Sequence, residues 1–402
     1  MHRRLLNLEN HSNYLEVKFA YSSGKYYGFR ALIAIRCPEL LNSEEIIKKR
    51  KEKKNSPKLT ITFKDENLLT IPLLIEILDY VYTDSIDFPK LTMENILKIQ
   101  KISVLLKLNR LTWLCERYLY STMGIHNVFE MVKLSNDLNV QVVKEFCFSF
   151  AKKNWLEFSG NKKGLEILGL DLFQELTVTL HTASQNEASE LIYNEQSKLS
   201  PTSTFTDDLK SLFNKMEFTD AMAELNDGKT LPFHKCLFSA HHQKLAQFFL
   251  DKKDSQKNFK FPISSESFLY WQQFIYFGSC TQLSVGSACE IIEELVEKFH
   301  LEKFRDKCEE VVCRDISVDF ALRCSRLTYL PWNLTRPANA EIRNKCLLFV
   351  ANNFIDVNIP SIRSIEPCGL AIAHDLLDVL HTLKRSSKVK RVGKPVKQLS
   401  FK

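Results

Sequence analysis

No stretch of 18 consecutive apolar residues occurs in the 402-residue chain, so nothing in it reads as a membrane-spanning helix. The opening MHRRLLNLEN is too short in apolar residues to act as a signal peptide. No Cys-x-x-Cys pair occurs among the 11 cysteines (Cys37, Cys115, Cys147, Cys236, Cys280, Cys289, Cys308, Cys313, Cys324, Cys346, Cys368). Their odd number and the apolar helical setting of several predict buried thiols in a reducing compartment, cytoplasmic or nuclear. Cys308 and Cys313 lie five apart on one helix and are expected to be core thiols. Glycine and proline are scarce, 11 and 12, which favours helix over a turn-rich β-sandwich.

The chemistry-bearing motifs are missing too. Gly164 and Gly169 are not followed by Lys-Ser/Thr, so there is no phosphate loop. No serine elbow or pair of catalytic carboxylates stands out. His234, His241 and His242 are close in sequence but have neither a fourth ligand nor metal-like spacing, which points to structural or capping roles. The expectation is a non-enzyme with no cofactor, no metal and no catalytic residue. Asn333-Leu334-Thr335 fits a glycosylation sequon, which carries no meaning in a reducing compartment.

The formal net charge of +7 is misleading. Residues 383–402 hold Lys384, Arg385, Lys388, Lys390, Arg391, Lys394, Lys397 and Lys402 and no acid, so removing these eight leaves −1 for the rest. A near-neutral body argues against a nucleic-acid surface. The tail reads as a disordered basic end, with Lys388, Lys390 and Arg391 as candidate contacts to an anionic partner or a nuclear-import receptor.

What the chain has is a repeat. Leu105–Tyr120 (LLKLNRLTWLCERYLY) is answered by Val296–Val311 (VEKFHLEKFRDKCEEV): Leu108 pairs with Leu301, Leu111 with Phe304, Cys115-Glu116 with Cys308-Glu309. Gly24-Lys25 with Phe29 matches Gly228-Lys229 with Phe233 at an offset of 204, Leu32 matches Leu237 at 205, and Tyr82 matches Tyr276 at 194. Cys147/Phe150/Asn154 matches Cys346/Phe349/Asn353 at 199. These landmarks recur in order, so the chain is two copies of a unit of roughly 190 residues.

Alternating Leu15, Val17 and Phe19 predict a strand, turned at Ser22–Lys25 with Gly24 suited to positive φ, and returning through Tyr26–Phe29. Arg30–Leu41 reads as short helices broken at Pro38. The offset falls by 11 residues across Ile46–Ser56, and Lys48–Lys54 carries six basic residues and one Glu; mutual repulsion predicts a solvated loop. Leu59–Phe63 is a strand, and amphipathic helices follow from Ile71 to about Leu180. A polar Ser/Thr-rich linker precedes Thr206–Met216, a helix with Leu209, Leu212 and Phe213 on one face. The second copy then repeats strand, turn, strand and helices, with Pro262 marking Phe259–Ile263 as a sheet edge.

This order, with Phe218-Thr219-Asp220, Phe233-His234-Lys235-x-Leu237, Phe274-Ile275-Tyr276-x-Gly278 and the Leu/Phe-x-x-x-Cys-Glu helix in both copies, resembles the BTB/POZ domain followed by a BACK-type helical region. Leu32, Ile35 and Tyr80-Val81-Tyr82-Thr83 carry the resemblance in the first copy. The implied fold class is α+β and mainly helical, with two BTB/POZ-like domains each followed by BACK-like helices. Its boundaries are an N-terminal tail 1–13, BTB-like 14–122, BACK-like 123–182, linker 183–205, BTB-like 206–314, BACK-like 315–382 and tail 383–402. The double layout is similar to that of leucine-zipper-like regulators, which carry repeat domains absent from this sequence. The first copy departs from the pattern in lacking the leading helix, the Asp and the His. Cullin-binding members carry an apolar-x-Glu segment before the last strand; here those segments read KKRKEKKNSP and FLDKKDSQKN, and neither contains it.

The resemblance implies a protein-interaction scaffold, an adaptor for cullin-3 ubiquitin-ligase assembly, or alternatively a self-association module without cullin binding in transcription or cytoskeletal organisation. BTB pairing is expected, intramolecular or homodimeric. The intramolecular form places Leu209, Leu212 and Phe213 on the first copy and leaves the chain monomeric. The aromatic helix SESFLYWQQFIYF is richer in apolar residues than one core requires. Burial in the core is the leading reading of this helix, and a partner-facing surface carrying Trp271 and Phe274 is the alternative.

Overall fold

The computed structural model describes residues 17–52, 59–158, 162–181, 201–251, 257–314, 344, 346–351 and 374–382. Met1–Thr219 with His234–Ala240 form one compact unit, and Asp220–Phe233 with His241–Lys402 form the other. The fold is mainly helical with small sheets, the α+β class expected.

In the first copy β1 (Val17–Ala20) pairs antiparallel with β2 (Lys25–Gly28) and parallel with β4 (Leu59–Phe63). Val17, Phe19, Leu59, Ile61 and Phe63 point inward and are buried, the period-2 pattern that alternation encodes. The helices of this copy are α1 (Arg30–Arg36), α2 (Glu39–Asn42), α3 (Ile71–Thr83), which packs on β2, α4 (Met93–Leu105) and α5 (Asn109–Thr122), which packs on α4. Thr92 caps α4 by accepting from the Asn95 N–H at 3.2 Å. The helices α6 (Val128–Asp137), α7 (Gln141–Lys153) and α8 (Lys162–His181) follow, with Gly169 at φ 72° breaking the last.

The basic stretch is not a loop. Ile47–Glu52 forms β3, antiparallel to β4, and gives the sheet the order β2-β1-β4-β3. Charge repulsion was the wrong criterion, because Lys48, Lys49, Arg50 and Lys51 are solvent-exposed while the backbone makes the ladder. Lysine on an edge strand blocks further strand addition rather than preventing the strand itself. Residues 53–56 of the predicted loop lie outside the described residues.

The second copy opens with α9 (Phe205–Lys215) and repeats the sheet: β5 (Ala221–Glu224) is antiparallel to β6 (Thr230–Phe233) and parallel to β7 (Asn258–Lys260). Its described strands have the order β6-β5-β7, so the 11 residues by which the first copy is longer coincide with the hairpin that carries β3. β7 stops two residues before Pro262, although the Phe261 N–H still donates to the Glu224 carbonyl at 3.0 Å. Among the described residues, helices α10 (Lys235–His241), α11 (Gln243–Leu250), α12 (Ser265–Phe277), α13 (Val285–Ile291) and α14 (Glu302–Arg314) belong to this copy. Ser264 and Ser284 cap α12 and α13, accepting from the N–H groups of Ser267 and Ser287.

Strand pairing corrects the alignment of the two copies by one residue. Val17 faces Gly28, whereas Ala221 faces Phe233, so Gly28 occupies the position of Phe233, and Phe29 that of His234. The turn in the second copy is one residue longer; its Gly228 takes φ 76°, and Gly24 is not in the left-handed region at all. Gly28 is required for a different reason. A Cβ there would lie 2.7 Å from Ile33 Cδ1, 3.0 Å from the Tyr82 hydroxyl and 3.2 Å from Phe19. Phe233 instead centres an aromatic cluster with Phe249, Phe259, Phe261 and Phe268 at centroid distances of 5.7–6.1 Å.

Candidate interaction surface

The unit holding the first copy also holds α9. This helix is amphipathic, with Asp207 and Asp208 in its first turn, where the helix dipole favours acids. It packs against α1. Leu209 and Leu212 are buried and Phe213 is half-buried. At about 1.5–3 kcal/mol for each fully buried leucine, this face stabilises the contact substantially.

A charged network sits at the N-terminal end of the seam. Arg36, in the last turn of α1, has a side chain only 5% exposed. Its Nε donates to Asp208 Oδ2 at 3.3 Å, and one Nη donates to the Tyr80 carbonyl at 3.2 Å and to that of Val81. The other Nη pairs with Asp84 Oδ1. The guanidinium lies 4.8 Å from the Phe205 ring centroid and 5.8 Å from that of Tyr80. Asp84 also binds Arg110 Nε at 2.9 Å, Arg110 reaches the Pro201 carbonyl, and Thr204 Oγ1 donates to Asp208 at 2.8 Å. Nearby, Arg30 stands 5.5 Å over the Phe218 ring, and His234 Nε2 lies 2.8 Å from the Glu217 carbonyl.

Asp84 adopts the left-handed conformation of a helix C-cap. It ends α3 at φ 58°, a region that disfavours Cβ-bearing residues; at the matching position of the second copy stands Gly278, at φ 70°.

Trp271 and Phe274 lie in the interior, the core placement weighed for this helix above. Trp271 is fully buried against Phe261, Phe268 and Phe299 at 5.4–6.0 Å, and Phe274 stacks on Phe304 at 4.4 Å. The helix α12 is apolar on most sides because Phe268, Trp271, Phe274, Ile275 and Tyr276 are all interior. Lys388, Lys390 and Arg391 lie outside the described residues, as does most of 315–382.

Cys37, Cys115, Cys147, Cys289, Cys308 and Cys346 are buried thiols. Burial pushes Cys37 and Cys147 up to about 12 and holds Cys115 and Cys308 well above the ordinary thiol range, so these groups are poor nucleophiles. Burial likewise raises Glu116, the acid of the Cys-Glu motif, against the opposing effect of the Gln100 amide that donates to it at 2.9 Å. His242 caps α11, its Nδ1 accepting from the Lys244 N–H. Among the described residues no group of three His, Cys, Asp or Glu side chains is placed to hold a metal ion, and no helix is long and apolar enough to cross a membrane.

Sequence reasoning found the apolar face of α9 but missed Arg36, Asp84, Arg110 and Asp208. The available signal was weak: a cation in the last turn before Cys37-Pro38, and an Asp where the second copy has glycine.

Comparison with known proteins returns the BTB/POZ domain model over residues 209–316. The human leucine-zipper-like transcriptional regulator 1 is 21% identical over 328 residues, covering 76% of this chain and 36% of its own length. The Pongo abelii protein of the same name is 21% identical over 320 residues with the same coverage. The chain thus spans about a third of the length of these relatives. The strand order, the packed helices and the family match converge on one assignment: residues 209–316 of this chain are a BTB/POZ domain.

Proposed function

We propose that this chain is a protein-interaction adaptor in which both copies are BTB/POZ-like and the helices after each are BACK-like, and that it serves cullin-3 ubiquitin-ligase assembly. The carrying observation is the BTB/POZ match at residues 209–316, a domain class that mediates protein–protein contacts and dimerisation. The first sheet supports extending the reading to the first copy, because β1 has the same antiparallel and parallel neighbours as β5. The alignment over 76% of the chain with a leucine-zipper-like transcriptional regulator also spans both copies.

The second reading is a self-association module without cullin binding. It is favoured by the missing apolar-x-Glu segment in KKRKEKKNSP and FLDKKDSQKN. Affinity purification of the tagged full chain, scored for cullin-3, separates the two. Stoichiometric cullin-3 supports the adaptor, and its absence together with recovery of other BTB proteins supports the alternative. The site of action under either reading is the cytoplasm or nucleus, checked by imaging the tagged chain with and without Lys388, Lys390 and Arg391.

A further inference from the structure

We propose that Arg36 and Asp84 form a charge lock that selects the second copy's leading helix, through Asp208, as the occupant of the first copy's α1 seat. The lock closes the chain on itself in place of homodimerisation through the second copy.

Three observations carry this inference. The first is burial: Arg36 is 5% exposed and Asp84 10%, so breaking their contacts strands a desolvated charge. The second is the backbone at Asp84. Asp84 takes φ 58° at the helix end, where the second copy has Gly278, and its carboxylate ties Arg36 to Arg110. The third is the difference between the two seats. At the offset of 205 that strand pairing sets, Arg36 corresponds to His241; at the offset of 194 set by Tyr82 and Tyr276, Asp84 corresponds to Gly278. A homodimer through the second copy would present Asp208 to a seat lacking both the guanidinium and the carboxylate. Specificity is a difference of affinities, and here the difference is built from charges present in one seat and not in the other. The Arg36 guanidinium over Phe205 adds a contact that an imidazole cannot reproduce in full. The lock stands whether or not the chain engages a cullin.

The test uses the full-length chain, with light scattering for mass and amide hydrogen exchange for the helix Phe205–Lys215. The wild type is expected at 46.7 kDa, with this helix protected. Asp208→Arg, which places a cation against Arg36, should lower protection of the helix by at least about tenfold while peptides of Ser265–Phe277 are unchanged. Asp84→Gly is the folding-safe variant, because glycine occupies the matching position at Gly278. It should also lower helix protection, although it removes an unfavourable backbone conformation. Unchanged or increased protection in Asp84→Gly would reduce Asp84 to a helix end and overturn the lock. A wild-type mass of twice 46.7 kDa would overturn closure within one chain. Loss of cullin-3 capture with the exchange results intact would count against the adaptor reading alone.

Discussion

Truncating Trp271 to alanine separates a core aromatic from a binding aromatic. The indole is fully buried, with Phe261, Phe268 and Phe299 around it. A buried tryptophan covers roughly 150–250 Å². At about 25 cal/mol per Å² that is roughly 4–6 kcal/mol of transfer free energy. The methyl left behind and partial collapse of the site reduce the net figure, and measured Trp→Ala changes in cores run at about 3–5 kcal/mol. The surrounding rings have few directions in which to relax, because Phe261 and Phe268 also pack on Phe233. The expected loss is therefore near the middle of that range. The assay is urea unfolding, followed by far-UV circular dichroism and by amide exchange of peptides from α12. Leu269→Ala on the same helix is the control: Leu269 is 40% exposed and should change stability by less than about 1 kcal/mol. A loss below about 1 kcal/mol for Trp271→Ala would refute the core assignment.

Gly28→Ala should destabilise the first copy by about 1–3 kcal/mol, the range for overpacking, because Ile33, Tyr82 and Phe19 all crowd the new methyl; a neutral result in urea unfolding would show that the site has slack. Proline scanning through Lys48–Lys51 should give alternating costs, about 1 kcal/mol or more where the N–H faces β4 and little where it faces outward, whereas equal small costs would restore the loop. Maleimide labelling of the native chain, mapped by mass spectrometry, should modify the half-exposed Cys280 before Cys37, Cys115, Cys147 and Cys308. The two thiols held up to about 12, Cys37 and Cys147, keep their protons in the folded state after unfolded thiols have lost theirs. Their contribution to stability is therefore full below the unfolded thiol value of 9.0 and is lost as pH rises from there toward 12. The slope measured by urea titration from pH 8 upward should flatten in Cys37→Ala and Cys147→Ala, and an unchanged slope would show that these thiols do not carry it.

The repeat, the period-2 strands and the amphipathic helices were all readable from residues alone, because each depends on neighbours within a few positions. Val17 and Phe19 alternate, Leu209 and Leu212 share a helix face, and Cys115-Glu116 returns as Cys308-Glu309 without any knowledge of tertiary contacts. What depended on distant partners was not readable. Arg36 and Asp208 are 172 positions apart, and nothing local distinguishes that arginine from a solvated one. Lys48–Lys51 repels itself as an isolated segment, yet its backbone gains a ladder from β4 once the sheet exists. Trp271 and Phe274 exceed what a single core requires only if their helix has one buried face, and packing on several sides removed the surplus. The one-residue shift that puts Gly28 in the place of Phe233 follows from strand register, which side-chain identity at the turn could not reveal. Local pattern therefore determined which elements form and which faces are apolar. Tertiary structure decided register, the edge strand and the charge pairing, since those energies exist only between residues that folding brings together.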